Sequence, residues 1–173
     1  MKINTIFAEK IYALQLLEFR ENEFRRALYL WNDVEYLKKF YDENKNIILQ
    51  NPYLEIKNVY DFIEQVFDEA EHLEEEIEHH YENDSLAELF EYLFNEISPQ
   101  NQFYKKIKQK LLRLYGIKLE DEYLVTGGAI KITKKMQDHP DTTEQLEILK
   151  QTKTFLDSEN ITDLDSLLDF MNE

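Results

Sequence analysis

Residues 111–133 read LLRLYGIKLEDEYLVTGGAIKIT. Two runs rich in Leu, Ile, Val and Tyr flank the polar break Glu120-Asp121-Glu122, which predicts a β-hairpin with 110–119 paired to 123–133. Gly127-Gly128, inside the second run, predicts a bulge or a close backbone approach. The first 115 residues contain no glycine, and the hairpin holds all three that the chain has. A sheet therefore belongs to the second half, and the first half reads mainly as helix.

Upstream, KIYALQL (10–16) alternates loosely and suggests a strand. From Glu21 the pattern is helical, with Phe24, Leu28 and Trp31 on one face. Asn32-Asp33 supplies a break and an N-cap before Val34, Leu37, Phe40 and Tyr41 resume the pattern. ENKNIILQNPYLEIKN (43–58) reads as loop, because Pro52 restricts Asn51 to extended geometry. The longest helix is expected in NVYDFIEQVFDEAEHLEEEIEHHYEND (58–84), whose apolar stripe runs from Val59 to Ile77 opposite an acidic face. SLAELFEYLFNEI (85–97) predicts a shorter helix closed by Ser98-Pro99, and QNQFYKKIKQ (100–109) reads as helix or loop. Beyond Pro140, residues 141–144 offer N-cap candidates for a helix carrying Leu146, Leu149 and Phe155, and a last short helix carries Leu164, Leu167, Leu168 and Phe170. The expected fold class is α+β, a small antiparallel sheet with a large acidic helical elaboration in the N-terminal half. Residues 1–173 form one domain, with 20–97 the helical acidic part and 98–173 the hairpin and the C-terminal helices.

Composition narrows the function classes. The chain is 43% hydrophobic and 13% aromatic, enough for a packed core, and has no cysteine for disulfides or thiolate metal sites. No segment approaches the roughly 18 apolar residues of a membrane span, and MKINTIFAEK has no signal-peptide core, so a soluble cytoplasmic protein without membrane partners is expected. The formal net charge of −16 hides a strong polarity. Residues 103–136 hold nine Lys or Arg against three acids, 9 − 3 = +6; the remainder has 11 basic and 33 acidic residues, or −22.

Three constellations deserve weighing. His72, Glu76 and His79 share a face of the acidic helix, but nothing there resembles a metal motif, and a solvated acidic face explains them; no metal or cofactor is expected. The aromatic residues of the first half, from Phe19 to Tyr41, have helical spacing and few cations beside them, which favours core packing or a groove for a partner helix over base stacking. The basic hairpin is the strongest signal. A lysine-rich face also blunts an edge strand, and that reading stands beside a catalytic one. For catalysis, Arg113 and Tyr115 share a strand face, Lys131, Lys134 and Lys135 follow the second strand, and His139 or a phenol (Tyr115 or Tyr123) would move protons. Such convergent cations suit phosphoryl chemistry on RNA, where a 2′-hydroxyl attacks the adjacent phosphate without a metal.

The order of these features resembles the RelE/HigB-like toxins of bacterial type II toxin–antitoxin systems. LLRLYGIKL (111–119) looks like their arginine strand, LVTGGAIKITKKMQDHP (124–140) like their glycine, basic turn and proline, and TTEQLEILKQTKTFL (142–156) like the helix that follows. The resemblance spans roughly residues 85–157, with KIYALQL as a first strand. It implies a RelE-like sheet and a ribosome-associated or free mRNA endonuclease, inhibited by a cognate antitoxin that is often a helix-turn-helix protein. It places Arg113, Lys131, Lys134, Lys135 and His139 near the active site. The helical part between Glu21 and Tyr81 has no counterpart in the minimal fold of that family. The −22 remainder motivates a different class of function, a non-enzymatic regulator or phage-encoded inhibitor whose acidic helices engage a basic protein.

Overall fold

A computed structural model describes residues 1–173 and shows an α+β fold. The elements are β1 (Lys2–Phe7), β2 (Ile11–Gln15), α1 (Glu23–Trp31), α2 (Val34–Gln50), α3 (Val59–Glu82), α4 (Leu86–Leu89), β3 (Glu91–Tyr92), β4 (Tyr104–Lys108), β5 (Leu112–Lys118), β6 (Tyr123–Ile130), a 3-10 turn (Met136–Asp138), α5 (Pro140–Ser158) and α6 (Leu164–Asn172). One six-stranded sheet runs in the order β1-β2-β6-β5-β4-β3. All neighbours are antiparallel except β2 and β6, where Ile11 lies beside Tyr123 and Ala13 beside Val125.

The predicted hairpin is the centre of this sheet. Leu112 and Leu114 of β5 point into one core with α1, α2 and α3, whereas Tyr115 and Ile117 point into a second core under α5 and α6. Helices on both faces explain why β2 reads so apolar: Ile11 to Leu14 are all buried, as a central strand beside a parallel neighbour requires. The sheet is larger than the expected hairpin because β1 and β2 close one side of it and β3 and β4 the other.

Four expectations are corrected by packing. Residues 43–50 continue α2 rather than forming a loop, because Ile48 is buried in the first core; only 51–58 is irregular. The expected helix at 85–97 stops at Leu89. Phe90 then stacks on Tyr123, with ring centroids 4.1 Å apart, and Glu91 and Tyr92 pair with β4. QNQFYKKIKQ contains β4, held between β3 and β5 despite its lysines. β1 was not anticipated; it is an edge strand whose main buried contribution is Ile3.

The long acidic helix is as expected: Phe62, Val66, Ala70, Leu73 and Ile77 are buried, while Glu71, Glu74, Glu75 and Glu78 face solvent. His72 sits 3.3 Å from Glu76 on that solvent side. Asp33 caps α2 by accepting from the N–H groups of Glu35 and Tyr36.

The two adjacent glycines have separate reasons. Opposite Tyr115 and Gly116 the register of β6 slips by one residue, leaving Thr126 without a partner, and Gly127 takes φ +152° as the strand recovers. A Cβ on Gly128 would lie 2.7 Å from the ring of Trp31 and 3.0 Å from the carbonyl oxygen of Arg113. Trp31, the fully buried last residue of α1, has little room to retreat. Gly128→Ala should therefore lower stability by about 2 kcal/mol, the usual cost of overfilling a packed site. The urea midpoint reads it, and an unchanged midpoint would mean that Trp31 is not seated on the strand.

Candidate functional site

Strand alternation sorts the basic window. On β4 and β5, Lys106, Lys108 and Arg113 share the face that carries Tyr115, and Lys131 joins them just past β6. The chain then turns through Lys134 and Lys135 into the 3-10 turn. Together these residues line a cleft of about 400 Å³, with Phe94 also on its wall. Six of the nine basic side chains of the window line it, and no carboxylate does. Lys105 instead lies on the opposite face over the ring of Tyr92, at 3.4 Å, and Lys110 pairs with Glu55 at 3.3 Å beyond the cleft.

The cleft is graded in depth. Arg113 (8% exposed) and Tyr115 (1%) form its floor, Lys106 and Lys131 its half-buried walls, and Lys108, Lys134 and Lys135 its exposed rim. The guanidinium of Arg113 is anchored through Nη1, which donates to the carbonyls of Gln109 and Leu112. Its Nε and Nη2 make no hydrogen bond within the chain. The hydroxyl of Tyr115 is fully buried and also has no partner. Leaving that buried phenol unpartnered is costly, and an acceptor entering the cleft would engage it together with the free donors of Arg113.

Electrostatics point the same way. Burial, and then the charges of Arg113, Lys106 and Lys108, lower the pKa of Lys131, with Asp138 acting in the opposite sense. Burial likewise lowers that of Lys106, partly offset by Glu91, whose carboxylate lies 3.8 Å away at the edge of the sheet. Burial lowers the pKa of Arg113 and raises that of Tyr115, although Arg113 draws the phenol back. The phenol thus stays protonated as a donor, while Lys106 and Lys131 hold their protons less firmly than free lysine does. Lys131 donates to the carbonyl of Lys134 at 2.8 Å, which fixes the turn against the wall.

The fold brings Arg113, Tyr115, Lys131, Lys134 and Lys135 together, and leaves His139 out. Its ring is buried beneath α2, with Nε2 3.0 Å from Asn44 Oδ1 and Phe40 beside it. Its Nδ1 accepts from the N–H of Asp141, so His139, and not residues 141–144, is the N-cap of α5. It has a structural task and no path to the cleft. Tyr123 is also absent, stacked on Phe90 in the other core. Sequence reasoning missed Lys106 and Lys108; their i, i+2 spacing was a usable signal only once 104–108 was known to be a strand.

Further back stands Glu69 of α3. It is buried, and its Oε1 accepts from the N–H groups of Leu111 (2.7 Å) and Leu112 (3.2 Å), while Gln65 donates to its Oε2. This carboxylate holds the β4–β5 turn, whose carbonyls in turn anchor Arg113. No protein-family model, curated protein or solved structure matches the chain.

Proposed function

We propose that the cationic cleft binds and cleaves single-stranded RNA without a metal, as the resemblance to RelE/HigB-like toxins implies, under the control of a cognate antitoxin. The carrying observation is the convergence of six cations and an unpartnered phenol on a cleft lined by no carboxylate or imidazole. A phosphodiester supplies the negative charge and acceptor oxygens that this lining lacks. With all six engaged, affinity for a single strand would fall with salt at a log–log slope of about −4.

In the reaction, the RNA 2′-oxygen forms a bond to the adjacent phosphorus and the bond from phosphorus to the 5′-oxygen breaks. Neutral Lys131 accepts the 2′-proton, and an ammonium of the Lys134–Lys135 turn protonates the leaving 5′-oxygen. Arg113 and Tyr115 donate to the non-bridging oxygens as their charge grows.

The expected result is cleavage of an RNA oligonucleotide in EDTA, giving 2′,3′-cyclic phosphate and 5′-hydroxyl ends. Because the pKa of Lys131 is lowered, the rate should rise with pH below the ordinary lysine range, and Lys131→Ala should abolish that rise. The same shift bears on stability with a definite sign. The folded state binds the proton less well than the unfolded chain, so the cost is full below the folded pKa and relieved as pH climbs through the unfolded value. RNA bound with steep salt dependence but left intact, or cleavage lost on chelation, would overturn the catalytic reading.

A further inference from the structure

The acidic surplus has a groove of its own. Between α1, α2 and the first half of α5 lies a cleft of about 760 Å³ that shares no residue with the cationic one. Its floor is apolar, with Trp31, Phe40 and Gly128. On its rim Leu17 is 73% exposed and Leu30 39%, with the ring of Phe19 nearby. Six carboxylates line it against two basic side chains, 2 − 6 = −4. Those two are already committed, Arg26 to Glu23 and Lys39 to Glu43 at 3.8 Å. Glu18, Asp141 and Glu144 have no ion-pair partner in the chain.

We propose that this groove docks a cationic amphipathic segment of a partner protein. Its apolar side chains cover Leu17 and Leu30 above the Trp31 floor, and its lysines or arginines meet Glu18, Asp141 and Glu144. Charge complementarity selects the occupant: the groove repels nucleic acid and other acidic surfaces, while its exposed leucines require an apolar face that a purely cationic ligand lacks. The local field is visible within the chain. Burial raises the pKa of Glu23; Arg26 opposes this, and Glu18 and Glu144 add to it. Tyr36, which also lines the groove, is pushed up to about 12 by burial, then by Asp141 and Glu43. The inference does not depend on RNA cleavage.

The probe is a fluorescein-labelled helical peptide of about 14 residues, built only of leucine and lysine with one apolar face. Its binding to the full chain is followed by anisotropy. Two groove variants, Leu17→Ser with Leu30→Ser and Glu18→Lys with Glu144→Lys, should each weaken binding roughly tenfold. A control on the solvent face of α3, Glu75→Lys with Glu78→Lys, should change it by less than about twofold. All these side chains are exposed, and circular dichroism checks that each variant is folded. Equal losses in the groove and control charge variants, or no loss in the leucine variant, would show mere attraction to an acidic surface and overturn the proposal. RNA cleavage by the groove variants should equal that of the parent, so the two readings fail separately.

Discussion

Arg113→Lys should slow RNA cleavage by about 100-fold or more while moving the melting temperature little, because lysine keeps the charge and loses the fork. Nη1 of Arg113 is occupied by the Gln109 and Leu112 carbonyls, which leaves Nε and Nη2 as a preset pair of donors at the floor of the cleft. A lysine ammonium can serve the carbonyls or the phosphate, and it cannot present two parallel donors to the latter. Stability moves little because two effects oppose each other. A lost hydrogen bond to a carbonyl costs about 1 kcal/mol. Against that, a flexible ammonium relieves the repulsion that Arg113 exerts on Lys131 and Lys106. Single-turnover cleavage with saturating enzyme separates the step from binding. At the exposed rim, Lys108→Ala should instead weaken binding and reduce the salt slope by about 1, with the single-turnover rate nearly kept. An Arg113→Lys protein with parental rate would remove the guanidinium from the reaction, and one that melts as much as it loses activity would make it a scaffold residue.

The parts that the sequence made legible are those whose signals are local. The hairpin could be read because β5 and β6 combine β-forming residues with a polar turn, and α3 because its stripe persists for about five turns. β4 was hidden because Tyr104 and Ile107 enter different cores and three lysines occupy the other positions, so neither a period of two nor a strand propensity survives. Its strand state comes from partners on both sides. Half of the cleft wall was hidden with it. The opposite error occurred at His139. Four residues from Lys135 along the chain, it seemed part of the basic turn, yet Pro140 starts a helix there and turns the imidazole inward to Asn44. Proximity along the chain is a poor guide where a helix begins.

Glu69→Ala should destabilise the protein by about 3 kcal/mol and should also impair cleavage without touching the cleft. The carboxylate accepts two buried backbone N–H groups at the β4–β5 turn, and alanine would leave both without their acceptor. Glu69→Gln separates the contributions. Its amide oxygen can still accept at the same place, so it should lose only about 1 kcal/mol, the difference between a charged and a neutral acceptor. If turn geometry sets the guanidinium of Arg113, the alanine variant should lose cleavage at temperatures where circular dichroism shows it folded, and the glutamine variant should restore most of it. Equal activity of folded Glu69→Ala and parent would mean that the turn holds its shape unaided. The recovery expected from glutamine would give the helical elaboration a mechanical task, in which the one buried acid of α3 fixes the strand turn from which the arginine hangs.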